Sequence, residues 1–302
     1  EGSYHGQYDY AEVSQTASPD TWGDLAHPKS VPVARGTPTS ALADVIVIPF
    51  NDPKRAVAIL DENARDLACV LLDLMPHRVG LNPADQEYVQ ILREWTTAHD
   101  TLLVLDEVIT FRSAFSGLQA NYAVTPDLTA LGKIIGGGFA VGAIAGRSEV
   151  MDVMNPLAEE LLFPHSGTFS ANPVTMTAGL VAMQLYDEPS ISRLNALATR
   201  AKDGINDAIR ATGITACVTG YGSMFRIHLK PTPPRNYREL FMSEAEAHSL
   251  KILVDYLFTQ GMLTFDTCTA VLSTPMEEPE IDRLIGTLEH GFAKLARHPP
   301  CQ

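Results

Sequence analysis

The stretch "LLVLDEVITF", residues 102–111, decides how the chain is read. Four apolar residues of strand type run straight into two adjacent carboxylates, Asp106 and Glu107. An uninterrupted apolar run marks a strand buried on both faces. Successive strand residues point to opposite faces, so only one of the two acids can face a given pocket. In open α/β sheets, ligands gather outside the carboxyl ends of the strands, and this pair falls at such an end.

Similar runs flank it. "DVIVIPF" (44–50), "ACVLLDLM" (68–75) and "TLLVLDEV" (101–108) read as strands, and "DLTALG" (127–132) and "VGAIAG" (141–146) as two shorter ones. Between them, "NDPKRAVAILDENA" (51–64) reads as a helix capped by Asn51 or Asp52, with Pro53 in its first turn. "NPADQEYVQILREWTTAHD" (82–100) reads as a helix with Val89, Leu92 and Trp95 on one face. The alternation predicts an α/β fold, a mostly parallel sheet covered by helices on both faces.

The pattern changes after Asn172. Helices are expected over 173–188 and 190–213, then a strand over 222–230. A helix over 243–261 carries Ser243 as its cap, Glu246 three residues later and Gly261 as its stop. An amphipathic helix over 277–298 follows. These readings divide the chain into a large domain, 1–189, and a smaller C-terminal α+β domain, 190–302. Residues 7–43 lack periodicity and read as a long loop, a feature often tied to function.

Composition bounds the partners. The chain has 302 residues, 45% hydrophobic and 19% charged, a globular balance. Its net charge of −14 disfavours a nucleic-acid partner, which demands basic surface. No apolar run reaches the about 18 residues needed to span a membrane. Cys69, Cys217, Cys268 and Cys301 are scattered, without C-x-x-C or metal-ligand spacing. They are expected to be free thiols in a reducing compartment, with no metal site, which points to the cytoplasm. "EGSYHG" (1–6) reads like the inside of a domain, so an upstream part is expected, and any organellar signal would lie there.

A second stretch, "TALGKIIGGG" (129–138), sets a lone lysine, Lys133, before Gly136, Gly137 and Gly138. Desolvation lowers the pKa of an amine and makes it nucleophilic. A structural alternative is a lysine snorkelling at a strand end. The glycines permit close backbone approaches but do not form the dinucleotide fingerprint G-x-G-x-x-G. A Walker B reading of "LLVLDE" requires a phosphate loop, which "LGKI" does not provide. Asp127 stands where the first glycine belongs and Ile134 where Ser or Thr belongs. Three readings follow: an enzyme whose cofactor is held between Lys133 and Asp106, a P-loop NTPase with its phosphate loop elsewhere, and a non-catalytic fragment.

Together the motifs are more specific. The sequence resembles the class III, fold-type I pyridoxal-phosphate aminotransferases, most nearly those like glutamate-1-semialdehyde aminomutase and the β-amino-acid transaminases. The matching stretches are "YHG" (4–6), "PFND" (49–52), "LLVLDEVITFR" (102–112), "VTPDLTALGKIIGGGFAVGAIAGR" (124–147) and "HSGTFSANPVTMTAG" (165–179). The resemblance implies pyridoxal 5'-phosphate as cofactor, with Lys133 as the catalytic lysine that forms its Schiff base. It implies Asp106 against the pyridine nitrogen, Val108 on one ring face and Tyr4 on the other, with His5 beside it. It also implies Thr168 on the phosphate of a neighbouring subunit's cofactor, and hence a homodimer with shared active sites. Read locally, Thr168 or Ser170 is equally an N-cap of the following helix. Glu107 is then most simply a structural acid on the opposite face.

The sequence also departs from the family. The upstream Gly-Thr-Glu-Ala-type segment, which supplies most of the phosphate cradle, is absent from this chain. In "LLDLMPHRVG" (71–80), Asp73 and Leu74 replace a family Glu-Pro pair, and Arg78 falls near a residue that contacts the cofactor's phenolic oxygen. "DEVITFR" is one residue shorter than the aminomutase form. These departures favour an aminotransferase, moving an amino group between an amino acid or amine and a keto or aldehyde acceptor. Intramolecular aminomutase transfer is the alternative. Arg112, Arg147 and Arg226 are candidates for a substrate carboxylate, Arg112 first, each against a structural pairing. His228 sits in a strand pattern and reads as structural.

Overall fold

The computed structural model describes residues 1–297. His298, at the end of the expected last helix, and Cys301, one of the expected free thiols, lie outside the described residues. In chain order the elements are α1 (Thr39–Ala43), α2 (Pro53–Asn63), β1 (Cys69–Asp73), α3 (Gln86–Ala98), β2 (Leu102–Asp106), β3 (Leu128–Gly132) and β4 (Gly142–Gly146). Then come α4 (Ser148–Met151), α5 (Pro173–Leu185), α6 (Glu188–Thr212), β5 (Cys217–Thr219), β6 (Met224–His228), α7 (Tyr237–Leu240), α8 (Glu244–Thr259), β7 (Thr269–Val271) and α9 (Glu278–Arg297).

The chain forms two compact units. One comprises Asp52–Leu74 and Ala84–Glu188, and holds a four-stranded sheet in the order β1-β2-β3-β4. β1, β2 and β3 are parallel and β4 is antiparallel to β3. Asp52 caps α2 by accepting a hydrogen bond from the Arg55 N–H at 3.1 Å, and Pro53 opens the helix. α3 buries Tyr88, Val89, Leu92 and Trp95. The Trp95 indole donates to Asp61 Oδ1 at 2.7 Å, which fastens α3 to α2. The helices cover the sheet incompletely. Leu103 and Leu105 are fully buried, whereas Leu71 is exposed and so is the whole of β4. Double-sided burial, expected from the apolar runs, therefore holds only in part: within this unit the outer strands lack a second covering layer.

The other unit comprises Glu1–Asn51, Met75–Pro83 and Pro189–Gln302. Its antiparallel sheet has the order β5-β6-β7. Leu194, Ala201 and Ile205 of α6, Leu253 and Leu257 of α8, and Leu288 and Phe292 of α9 are buried. The Ser243–Glu246 capping box forms and opens α8. The strand expected over 44–50 is absent. Val47 and Phe50 are buried there, as their apolar character requires, but the segment joins no ladder. The Val45 carbonyl accepts a hydrogen bond from the Ser30 hydroxyl instead. A buried apolar run can satisfy its backbone outside a sheet, and periodicity cannot tell the two cases apart.

Candidate active site

Parallel pairing assembles the site from the edge of the sheet. Asp73 and Asp106 are register partners across β1 and β2, and Asp106 and Ala130 across β2 and β3. The acid that ends β2 and the residues that end β3 therefore stand side by side at the carboxyl edge. Three residues beyond Ala130 the chain turns at Lys133, which opens a short 3-10 turn over Lys133–Gly136. Lys133 has φ 48°, in the left-handed region. For a residue with a side chain this costs about 1–3 kcal/mol, and such strain concentrates at functional sites. Its amine forms no hydrogen bond or ion pair among the described residues. Val108 packs beneath this turn: a Cβ on Gly132 would lie 3.3 Å from Val108 Cγ1. Asp106, Val108 and Lys133 are thus gathered at one strand edge.

The two carboxylates of the opening motif part company. Asp106 is 8% exposed, and its Oδ1 accepts the Val108 N–H at 3.0 Å. Glu107 is fully buried and accepts hydrogen bonds from the Thr110 hydroxyl, the Leu118 N–H at 3.1 Å and the Gln119 N–H at 2.7 Å. Burial pushes the Glu107 carboxyl above its ordinary value, against the opposing pull of these donors. Gly117 approaches so closely that a Cβ there would sit 2.7 Å from Glu107 Oε1. Glu107 is a structural acid that ties down the loop over 110–121.

The glycines after Lys133 serve a close approach of helix and turn. A Cβ on Gly137 would lie 2.3 Å from the Ala178 carbonyl oxygen, and one on Gly179 would lie 2.2 Å from the Ile135 carbonyl oxygen. α5 therefore rests directly on the turn that carries Lys133, and no larger residue fits at either contact.

The remaining candidates are distributed as follows. Thr168 lies in the exposed segment before α5. The N-cap of α5 is Asn172, whose side chain accepts the Thr175 N–H at 3.0 Å, so neither Thr168 nor Ser170 caps it. The Arg112 guanidinium lies 5.8 Å from the Tyr186 ring centroid, and the Tyr186 hydroxyl donates to the Arg112 carbonyl at 2.9 Å. Arg147 pairs with Asp127 at 2.8 Å and with Glu149, which makes it structural. Asp127 also accepts from Arg93 and from the Leu103 N–H, joining α3, β2 and the end of β4. Burial opposes the Asp127 charge, but these donors outweigh it and hold its carboxyl below the ordinary carboxylate value.

Tyr4 and His5 belong to the other unit, where Arg78 lies 5.6 Å from the Tyr4 ring centroid. His228 is buried in the same unit, with Nε2 2.8 Å from the Thr219 hydroxyl and 3.1 Å from the Gly80 carbonyl. Burial and the neighbouring Arg226 hold its pKa down to about 3, so it stays neutral and structural. Arg226 itself has a setting that strand alternation did not reveal: it is 3% exposed and forms no ion pair among the described residues.

Known proteins are similar to this chain over nearly its whole length. The family model described as "Aminotransferase class-III" matches residues 1–273. A glutamate-1-semialdehyde 2,1-aminomutase of Akkermansia muciniphila is 33% identical, over 97% of this chain and 67% of its own length. One from Opitutus terrae is 36% identical over the same shares. The chain spans between 55% and 67% of such relatives. An omega-transaminase from Sphaerobacter thermophilus superposes with a TM-score of 0.95 at 41% identity, covering 98% of this chain and 67% of that one. A structure described as a transaminase with PLP bound superposes at 0.87 with 32% identity, covering 99% and 67%. This agreement over nearly the whole chain removes the P-loop reading of "LLVLDE". The chain belongs to the class-III aminotransferase family of pyridoxal-phosphate-dependent enzymes.

Proposed function

We propose that the protein moves an amino group between an amino acid or amine and a keto or aldehyde acceptor, with Lys133 as its catalytic residue. The observation that carries this reading is Lys133 itself, held in a left-handed conformation beside Val108 and Asp106 at the carboxyl edge of parallel strands. This donor set suits pyridoxal 5'-phosphate: an amine for the aldehyde, a carboxylate for the ring nitrogen and a branched apolar side chain for the ring face. When bound, the cofactor supplies an electron-accepting ring. Lys133 Nζ would hold the cofactor and would take and return a proton at the substrate carbon. The Asp106 carboxylate holds the proton on the pyridine nitrogen. Val108 would back one face of the ring, and Arg112 is the candidate for a substrate carboxylate.

Two further features belong to this reading. The first is a homodimer in which Thr168 serves the partner's cofactor. Its support is a surface unusually apolar for a lone subunit. Phe163 and Phe169 of the Thr168 segment, Ile144 of β4, and Val174, Leu180 and Leu185 of α5 are all exposed, Leu185 to 71%. The second is a cytoplasmic location, in keeping with the free thiols of Cys69, Cys217 and Cys268. Among the described residues no helix is long and apolar enough to cross a membrane.

Intramolecular transfer is the second reading, favoured by the similarity to the aminomutases of Akkermansia muciniphila and Opitutus terrae. A keto acceptor consumed mole for mole with the donor identifies transamination, and turnover without any acceptor identifies the mutase. The central claim is tested by borohydride reduction of the cofactor-loaded protein followed by peptide mass spectrometry. A pyridoxyl group is expected on Lys133 and is lost in Lys133→Ala. A modified peptide containing any other lysine overturns the assignment.

A further inference from the structure

Glu107 lies one residue past the last register pair of β2, between Asp106 and Val108, the two neighbours assigned to the cofactor ring. Its backbone N–H closes the ladder to β3 by donating to the Ala130 carbonyl at 2.9 Å. The next amide leaves the sheet: the Val108 N–H turns back to Asp106 Oδ1 at 3.0 Å. Residue 107 is therefore the pivot at which the chain bends out of β2. Whatever fixes this residue also fixes the side chains on either side of it.

What fixes it comes from the loop over 110–121. The Thr110 hydroxyl and the Leu118 N–H both reach Oε2, and the Gln119 N–H reaches Oε1. The Phe111 N–H donates to the Glu107 carbonyl at 3.0 Å. Each of these groups is a donor, and an ionised carboxylate only accepts. A glutamine here would turn its NH2 toward the Leu118 or Gln119 N–H and leave that donor unpartnered in the interior. Gly117 has φ 80°, so the loop bends around the carboxylate where a side chain is disfavoured. On the far side, Val108 packs against the Lys133 turn, where a Cβ on Gly132 would meet both of its methyl groups within 3.6 Å. Loop, Glu107, the pair Asp106 and Val108, and the Lys133 turn form one continuous series of contacts.

We propose that Glu107 is a positioning residue for the cofactor site. The loop over 110–121, acting through the Glu107 carboxylate, sets the aim of Asp106 and seats Val108 beneath the Lys133 turn. Tying down the loop is the means, and orienting the ring-facing pair is the consequence. The consequence for the cofactor rests on the amino-transfer reading. The mechanical part does not, because the Val108 N–H reports the orientation of Asp106 with or without cofactor.

Amide hydrogen exchange of the 302-residue chain, wild type against Glu107→Gln and without added cofactor, tests the assignment. The Val108 amide is expected to exchange at least about tenfold faster in the variant, the effect of losing a hydrogen bond to a charged group. The Leu103 amide, held by Asp127, is expected to keep its rate. Faster exchange confined to Leu118 and Gln119, with Val108 unchanged, shows a loop tie alone and overturns the proposal. In a second readout, pyridoxal 5'-phosphate is titrated and followed by absorbance. The variant is expected to bind about tenfold more weakly, and wild-type affinity in the folded variant overturns the proposal as well. Should Glu107→Gln unfold by circular dichroism, Thr110→Val decides, because it removes one donor at nearly constant volume. It is expected to speed Val108 exchange several-fold, and an unchanged rate overturns the proposal. A wild-type chain that carries no pyridoxyl group on Lys133 after reduction sinks the amino-transfer reading instead. The exchange result then decides the role of Glu107 by itself, so the two failures are told apart.

Discussion

Asp106 and Glu107 are chemically near-identical neighbours, and the strand sends them to different work. Glu107 is enclosed by Thr110, Leu118 and Gln119, and Asp106 ends at the strand edge near Lys133. Asp106→Asn keeps the shape of the side chain and removes its charge. The variant is expected to lose cofactor on dialysis, read by absorbance, with binding weakened by about 1.5–3 kcal/mol, the loss of a hydrogen bond to a charged group. Turnover is expected to fall further, because an amide cannot hold the ring-nitrogen proton. Wild-type retention and turnover would show that Asp106 only caps its strand.

At the level of elements, the contact between α5 and the Lys133 turn is the most demanding piece of packing. Gly179 has no special backbone requirement, so its contact is purely steric: an added Cβ meets the Ile135 carbonyl oxygen at 2.2 Å. Backbone on both sides leaves no flexible side chain to give way. Gly179→Ala is therefore expected to push α5 off the turn, lowering stability by about 1–3 kcal/mol. Lys133 is displaced with it, so the yield of reducible cofactor should fall as the melting temperature does. Ala178→Gly at the neighbouring position is the control for a mere change in helix propensity, about 1 kcal/mol without loss of the lysine attachment. Full cofactor attachment in Gly179→Ala would show that the lysine is positioned independently of α5.

At the scale of the whole molecule, the proposed shared-site dimer makes a prediction that no single-subunit description makes. Subunits carrying Lys133→Ala are combined with subunits carrying Thr168→Ala. If Thr168 serves the partner's site, one site of each mixed dimer carries both lesions and the other carries neither. Activity should then be about half that of the wild-type dimer. If Thr168 serves its own subunit, each site carries one lesion and activity stays low, which refutes the sharing. The exposed apolar residues of α5 and β4 add a second readout, since light scattering should report a dimer rather than a monomer.

The sequence by itself determined what local patterns can encode. The apolar run of β2, the Asp52 and Pro53 start of α2, the Ser243–Glu246 box of α8 and the Val89-Leu92-Trp95 face of α3 depend on neighbours in the chain, and all are present. The motifs around Asp106 and Lys133 identified the family for the same reason: order and spacing are local. The tertiary structure decided the rest. Periodicity placed a strand over 44–50, where burial of Val47 and Phe50 is satisfied without a ladder. Read locally, Thr168 and Ser170 had equal claims to the cap of α5, and the fold awarded it to neither but to Asn172. Arg147 and Arg226 look alike in sequence, yet Asp127 and Glu149 neutralise the first while the second is buried with an unpaired Nε. Pairing partners for charges and covering layers for strands come from segments distant in the chain, and only folding brings them together.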